Sequence, residues 1–151
     1  MDATGDQIRT RGHEFGSVTG RPRRCGWLDV PLLRYAAMIN GFDSLVITKL
    51  DVLDELETVR VCAAYRVGKN KVTENPATIK GIEALEPVYE CLPGWRTPTA
   101  GISSFEQLPA RAKDYIRFLE AQIGVEVGCI STGAERNDTI VVPGSRFEKL
   151  F

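Results

Sequence analysis

Apolar side chains recur at helical spacing over residues 109–123, and this repeat is the clearest structural signal along the chain. The apolar stripe consists of Leu108, Ala112, Tyr115, Ile116, Leu119 and Ile123. Pro109 suits the first turn of a helix, and Gly124 suits the position just after its end. The pattern therefore predicts an amphipathic helix over 109–123 that packs along one side against the core.

A second helix is predicted over residues 31–40, where the local signals mark both ends. Asp29 can cap the first turn, in which Pro31 is tolerated because its missing N–H is not needed there. Gly41 then ends the helix. A shorter helix is predicted over 52–57.

Segments rich in β-branched and aromatic residues predict the strands. They cover 44–48, 59–67, 87–92, 125–130 and 139–142. Gly68 begins a turn to a hairpin return at 72–73, residues 74–86 are predicted to be loop, and Pro93 and Gly94 are predicted to end a strand in a turn. This order of strands with flanking helices predicts an α/β fold with a mixed sheet, in a single domain over 1–151.

Charge and cysteine content exclude several classes of protein. A net charge of -1 and a pI near 5.9 give no general attraction to nucleic acid or to an anionic membrane. The sequence has neither the apolar run of about 18 residues that a membrane span requires nor a signal peptide, so a cytoplasmic protein is predicted. The separated cysteines predict reduced, mostly buried thiols and no zinc site: Cys25, Cys62, Cys91 and Cys129.

The sequence Thr48-Lys49-Leu50-Asp51 directly follows a predicted strand and has the chemistry to select guanine. An Asp carboxylate can accept hydrogen bonds from N1–H and the N2 amine of guanine, whereas adenine has no such donor pair. That contact is worth about 1.5–3 kcal/mol. Lys49 would lay its alkyl stem over the base while its ammonium stays in water. The alternative is that Asp51 only caps the predicted helix that begins at Val52.

A glycine-framed loop over residues 16–29 carries Arg21, Arg23 and Arg24. Its glycines allow close backbone approach, and planar guanidinium groups match carboxylates or phosphates. Ser17 and Thr19 add hydroxyl donors. The loop therefore predicts an anion site, and the alternative is a solvated basic turn.

Four motifs carry a family resemblance. They are Gly12–Asp29, Ile47–Asp54, Leu92–Trp95 and Ile130–Gly133. In this order and spacing they resemble the C-terminal third of adenylosuccinate synthetase, and the resemblance covers essentially the whole chain after Met1. It implies part of a GTP-dependent ligase fold whose enzyme joins L-aspartate to inosine monophosphate (IMP) in purine biosynthesis. The intact enzyme is implied to use GTP as co-substrate and Mg²⁺ as cofactor, and to be a homodimer.

The resemblance also implies roles for individual residues. Those that match the aspartate and IMP site are Ser17, Val18, Thr19, Gly20, Arg21 and Arg23. Arg21 also matches the arginine that reaches the inosine nucleotide, and Arg23 matches one near the GTP ribose. The residues that match the guanine site are Lys49, Leu50, Asp51, Ser131, Thr132 and Gly133. By itself, the segment Ser131–Gly133 would indicate only an ordinary turn at a strand end.

The chain lacks parts that the resemblance leads us to expect. There is no glycine-rich phosphate loop, and His13, the only histidine, does not match the family's catalytic histidine. The catalytic Asp and His and the magnesium ligands are therefore expected outside this chain, which resembles an inactive fragment. Two rival functions remain: a guanine-nucleotide-binding module without catalysis, and an interaction or oligomerisation domain.

Other conspicuous residues have structural explanations. Trp27 and Trp95 are predicted to pack rather than to stack on bases. Near the guanine loop, Glu135, Arg136 and Asp138 are predicted to be solvated. An acidic group is predicted to be helix-surface charge rather than a metal site: Asp51, Asp54, Glu55 and Glu57.

Overall fold

The computed structural model describes residues 3–75, 82 and 84–150, which form a mixed α/β fold. The helices are α1 (Ala3–Arg11), α2 (Val30–Asn40) and α3 (Ala110–Ile123). The strands are β1 (Leu28–Asp29), β2 (Ser44–Ile47), β3 (Thr58–Val67), β4 (Asn70–Val72), β5 (Glu86–Pro93), β6 (Glu126–Ser131) and β7 (Thr139–Val141). Short 3₁₀ turns cover Leu50–Leu53, Phe105–Gln107 and Glu148–Leu150.

One sheet is built around the long strand β3. Strand β5 runs antiparallel along one side of it, with Thr58 opposite Pro93 and Arg66 opposite Glu86. The other side is shared by β1, which is parallel to β3, and by β4, which returns antiparallel after the turn at Gly68. The predicted hairpin is confirmed, although its return strand begins at Asn70 rather than at 72.

The second sheet places β6 between two neighbours. Strand β2 pairs with β6 in parallel, with Ile47 opposite Ile130, and β7 pairs with β6 antiparallel. Because parallel strands end at the same edge of a sheet, the segments that follow Ile47 and Ile130 begin side by side. This edge positions the candidate site.

Helix α3 provides much of the core, as its apolar repeat predicts. The predicted stripe is buried in full, with between 0% and 7% of each residue exposed: Leu108, Ala112, Tyr115, Ile116, Leu119 and Ile123. Gly124 ends the helix in the left-handed conformation, with φ of 81°, and donates to the carbonyl of Glu120 at 2.8 Å. Burial also raises the pKa of the Tyr115 hydroxyl to about 12.

The predicted cap of α2 is also confirmed. Asp29 accepts a hydrogen bond from the backbone N–H of Leu32 at 3.0 Å. The hydroxyl of Tyr65 on β3 lies 2.7 and 2.6 Å from the two oxygens of the same carboxylate. One aspartate therefore fixes the start of α2 and joins it to the first sheet.

The helix predicted over 52–57 is wrong. The chain instead forms the 3₁₀ turn Leu50–Leu53, in which Leu50 and Val52 are buried. The backbone N–H of Gly94 donates to the carbonyl of Glu57 at 2.8 Å, and Thr58 pairs with Pro93. Pairing with β5 and the residue after it therefore occurs where the predicted helix would end. A Cβ on Gly94 would lie 1.8 Å from the carbonyl oxygen of Leu56, which explains the need for glycine there.

Other differences concern the ends of the elements. Helix α1 was not predicted, because its sequence has a single large apolar residue, Ile8, among charged neighbours. Strand β5 continues through Pro93 and is followed by irregular chain at 94–96, so the turn predicted at Pro93 and Gly94 is wrong. Most of the loop predicted over 74–86 lies on 76–81 and 83, which are outside the described residues, and Glu86 already belongs to β5.

The four cysteines are free thiols. Cys62 and Cys129 are buried, and burial raises the pKa of both thiols. Cys25 is half-buried and Cys91 is exposed on the edge strand β5, so the prediction of mostly buried thiols holds for only half of them. Among the described residues, no helix is long and apolar enough to span a membrane.

Candidate functional site

Asp51 lies inside the 3₁₀ turn that follows β2, and it does not act as a helix cap. The position before the turn is occupied by Lys49, with φ of 59°, and no side chain caps the turn. Oδ1 of Asp51 is buried and has no hydrogen-bond donor among the described residues. The capping alternative is therefore wrong, and this carboxylate has an unused acceptor.

The electrostatic surroundings of Asp51 agree with an unsatisfied carboxylate. Burial raises the pKa of Asp51, and the neighbouring charge of Asp54 adds to that rise. Its own backbone N–H and the charges of Arg11 and Lys49 act in the opposite direction without overcoming burial. A desolvated acceptor without a donor costs about 1–3 kcal/mol, so a ligand that donates hydrogen bonds would recover that cost.

The turn after β6 holds a fixed shape. Thr132 is fully buried and its N–H donates to the carbonyl of Asp138 at 2.8 Å, while the hydroxyl of Ser131 donates to the carbonyl of Gly133 at 2.8 Å. A Cβ on Gly133 would lie 2.3 Å from Oδ2 of Asp138. The turn is therefore held in one shape by its own hydrogen bonds.

Asp138 is a structural member of this turn. Its Oδ2 accepts from the backbone N–H of Glu135 at 3.1 Å, and the residue is half-buried. The prediction that Asp138 is solvated is therefore wrong, whereas Glu135 and Arg136 are exposed as predicted.

The parallel register makes the two candidate guanine segments start from neighbouring positions. Ile47 and Ile130 are opposite each other at the ends of β2 and β6. The segments Lys49–Asp51 and Ser131–Gly133 follow these residues at one edge of the sheet. The carboxyl edge of parallel strands is where α/β proteins commonly bind nucleotides.

The glycine-framed loop closes on itself and projects into solvent. The N–H of Gly16 donates to the carbonyl of Arg21, and the N–H of Gly20 donates to the carbonyl of Gly16, both at 2.8 Å. Gly20 has a φ of 64°, which favours glycine. Residues 17–24 are exposed, and in the described part of the chain neither Arg21 nor Arg24 forms an ion pair.

Glu14 connects this loop to the candidate guanine segment Lys49–Asp51. Its Oε2 accepts from Nη1 of Arg23 at 2.8 Å, and its Oε1 accepts from the ammonium of Lys49. Nζ of Lys49 also donates to the carbonyl of Gly12 at 2.7 Å. The hydrogen bonds from Lys49 and then Arg23 hold the pKa of Glu14 below its ordinary value. The Lys49 ammonium is therefore paired, and not held by water alone as predicted.

Sequence reasoning did not identify Glu14 as a site residue. The available signal was an isolated carboxylate next to a strongly basic loop, which suggests an internal partner for one of the arginines.

A cleft of about 490 Å³ lies beside Lys49. Its lining includes Glu14, Trp27, Asp29, Lys49 and Tyr115, together with apolar side chains. The loop tip at 17–21 does not line this cleft. The cleft therefore connects the base of the loop with the candidate guanine segment Lys49–Asp51, whereas the tip of the loop lies away from it.

Asp54 is buried, in contrast to its predicted place on a helix surface. Its carboxylate accepts from Nε1 of Trp95 at 2.6 Å and from the N–H and hydroxyl of Thr99, both at 2.7 Å. The Trp95 ring packs on Tyr115 with a centroid distance of 5.9 Å, which confirms its predicted packing role. Trp27 is half-buried against the same core, as predicted.

Comparison with known proteins agrees with the four sequence motifs. The family model described as adenylosuccinate synthetase matches residues 1–140. The adenylosuccinate synthetase of Solibacter usitatus (strain Ellin6076) is 66% identical over 150 residues, which cover 99% of this chain and 35% of that protein. That of Koribacter versatilis (strain Ellin345) is 54% identical over 139 residues, covering 92% and 31%.

A solved structure shares the fold. The fully ligated adenylosuccinate synthetase from Plasmodium falciparum has a TM-score of 0.85 and 38% identity, over 93% of this chain and 34% of that one. The chain thus spans about a third of the length of the relatives that it matches. On the match of the family model and these similarities, the chain belongs to the adenylosuccinate synthetase family.

Proposed function

We propose that this chain supplies the guanine-binding and aspartate-binding segments of an adenylosuccinate synthetase. The intact enzyme would use GTP to ligate L-aspartate to IMP, forming adenylosuccinate in AMP biosynthesis. Family membership supports the ligase class. Because the chain covers 35% of the Solibacter protein's length, the comparison also supports a role as one part of a larger enzyme.

The observation that carries the proposal is the unsatisfied carboxylate of Asp51. Asp51 lies in the turn that follows β2, and the last residue of β2, Ile47, is opposite Ile130, which directly precedes Ser131–Gly133. Guanine N1–H and the N2 amine are a matched donor pair for a carboxylate, so guanine would satisfy Asp51 after its side chain turns toward the open edge. Adenine would oppose Asp51 with its own N1 acceptor.

The glycine-framed loop is proposed to hold the acidic co-substrate. Arg21 and Arg23 present guanidinium forks that suit the two carboxylates of aspartate, and Ser17–Gly20 supply backbone and hydroxyl donors. The exposure of the loop supports a segment that is free to receive a substrate. Arg21 is further assigned to the inosine nucleotide, and Arg23 to the GTP ribose.

In the intact enzyme, the γ-phosphoryl group of GTP would pass to O6 of IMP, and the aspartate amine would then displace phosphate. The described residues of this chain bring together no group of three or more His, Cys, Asp or Glu side chains that fits a metal ion. From the family resemblance, we assign the Mg²⁺ ligands, the phosphate loop and the catalytic Asp and His to another part of the enzyme. A homodimer in the cytoplasm is part of the same proposal.

The test compares phosphoryl donors in the full-length enzyme that carries this chain. We expect kcat/KM to be highest for GTP and to fall roughly tenfold to a hundredfold for inosine triphosphate (ITP), which lacks the N2 amine. ATP should be poorer still, because it lacks both donors. Equal use of the three nucleotides would contradict the proposal. GTP binding by the full-length protein without any ligation would favour the alternative of a non-catalytic guanine-nucleotide module.

A further inference from the structure

Asp54 is tied directly to the turn that carries Asp51. It directly follows that turn, and its backbone N–H donates to the carbonyl of Asp51 at 3.2 Å. Its buried carboxylate holds Trp95 and Thr99, which belong to a segment far along the chain. The segment 95–99 therefore holds the backbone of Asp51 in position through Asp54.

The same segment continues to the other half of the guanine site. The N–H of Ile102 donates to the carbonyl of Thr99 at 3.1 Å, and the hydroxyl of Thr132 donates to the carbonyl of Ile102 at 2.8 Å. Thr132 lies in the turn after β6. A hydrogen-bonded path thus runs from Asp51 through Asp54, Thr99 and Ile102 to Thr132.

The path contains most of the buried polar residues in the described part of the protein. Among the described residues, the buried polar or charged side chains are Asp54, Thr99, Thr132 and Ser145. Three of these four lie on the path. Buried polar groups are costly unless they are fully hydrogen-bonded, and a bonded network fixes relative positions more narrowly than apolar packing does.

We propose that the segment Trp95–Ile102 is a positioning strap that sets the spacing between Asp51 and the Ser131–Gly133 turn. Asp54 and Thr99 are then positioning residues for base selection, although neither contacts the nucleotide. The inference rests on the proposed function, since it assumes that these two turns hold guanine. It predicts that loosening the strap weakens guanine recognition more than it weakens other substrate contacts.

The test uses Asp54→Asn and Thr99→Val in the full-length enzyme. Asp54→Asn keeps the size of the side chain but replaces one acceptor oxygen with a donating amide, so the donors from Trp95 and Thr99 cannot all be met. Thr99→Val removes a single hydroxyl donor, so it disturbs the network less than Asp54→Asn does. Ser145→Ala is the matched control, because Ser145 is equally buried but lies off the path.

The measurement is the ratio of kcat/KM for GTP to kcat/KM for ITP. We expect Asp54→Asn to lower this ratio by about tenfold and Thr99→Val by several-fold, while KM for aspartate stays within about twofold of the wild type. A purely structural role would lower thermal stability and affect both nucleotides alike. Melting temperatures of all three variants, measured alongside, separate these effects.

Each result decides the matter. An unchanged ratio in both strap variants overturns the inference, as does an equal fall in Ser145→Ala. If Asp54→Asn does not fold, the Thr99→Val ratio decides by itself. A wild-type enzyme without preference for GTP over ITP would instead refute the proposed guanine site, so the two failures are distinguishable.

Discussion

The ammonium of Lys49 donates a hydrogen bond to the carboxylate of Glu14, across 35 residues of sequence. The contact joins a residue just before the glycine-framed loop to the residue before the turn that carries Asp51. Since Glu14 also pairs with Arg23, one carboxylate balances a cation from each candidate site. The two candidate sites are thus linked electrostatically through Glu14.

Replacing Glu14 with Gln should reduce stability in a pH-dependent way. The folded-state pKa of Glu14 lies below 4.5, so its ion pairs stabilise the fold fully above that pH and lose this effect as pH falls through the folded-state pKa. The wild-type protein should therefore be more stable than Glu14→Gln at pH 7, and the gap should close toward pH 3. Thermal denaturation across this range measures it.

Glu57→Gln is the control for that experiment, because Glu57 is exposed and forms no ion pair in the described part of the chain. Its effect should be small at every pH. A stability gap for Glu14→Gln that stays constant from pH 7 to pH 3 would show that the carboxylate charge is not the cause.

Replacing Asp51 with Asn should improve stability while damaging nucleotide selection. The folded-state pKa of Asp51 is raised above 3.8, so its charged form costs stability at neutral pH, and that cost disappears as pH falls below 3.8. Asp51→Asn should therefore melt at a higher temperature than the wild type at pH 7, with the difference vanishing in acid. Circular dichroism melting curves of the nucleotide-free protein measure this.

The same variant should change the preferred base. The Asn amide can donate to O2 of xanthine, which the carboxylate repels, so preference should move from GTP toward xanthosine triphosphate by about 1–3 kcal/mol. The ratio of kcat/KM for the two nucleotides in the full-length enzyme gives the shift. Unaltered preference together with lower stability would indicate a purely structural Asp51.

Lysine substitutions in the glycine-framed loop test its geometry. Arg21→Lys and Arg23→Lys keep the charge but lose the planar fork, so KM for aspartate should rise at least about tenfold, or roughly 1.4 kcal/mol. Steady-state kinetics with varied aspartate provide the measurement.

Arg24→Lys is the matched control, since Arg24 is equally exposed and lies one residue past the positions assigned to substrate. Its aspartate kinetics should be near normal. If all three variants differ from the wild type only in salt dependence, the loop is a steering surface and does not hold the substrate.

The 151-residue chain by itself should not make adenylosuccinate. Phosphoryl transfer requires a phosphate cradle, which this sequence does not contain. Product formation from GTP, IMP, aspartate and magnesium should stay at background. Turnover that Arg23→Ala abolishes would refute this expectation.

Local signals predicted the parts of the fold that local physics controls. The apolar repeat of α3 and the Asp29 cap of α2 act within a few residues, so both are visible in sequence. The helix predicted after Asp51 failed because distant pairing of Thr58 with Pro93 prevails over helix propensity. Helix α1 gave no signal, since Ile8 is its single large apolar residue.

The candidate site likewise contains residues that the sequence indicates and residues that only the fold reveals. Asp51 and the arginines stand out by residue type and motif, and the family resemblance supplies their roles. The carboxylates of Glu14 and Asp54 do not stand out, because what they do depends on partners elsewhere in the fold. Trp95 and Thr99 lie 41 and 45 residues beyond Asp54, so its burial could not be inferred from its acidic neighbours.

The parallel pairing of β2 with β6 also governs when the proposed guanine site can form during folding. Ser44 pairs with Glu126, so the two strands meet only after a long loop has closed, and such non-local contacts form slowly during folding. Neither turn is positioned until that closure is complete. A bound guanine nucleotide would therefore report on the folding of the whole unit, and by mass action it would protect the whole unit against proteolysis rather than one turn.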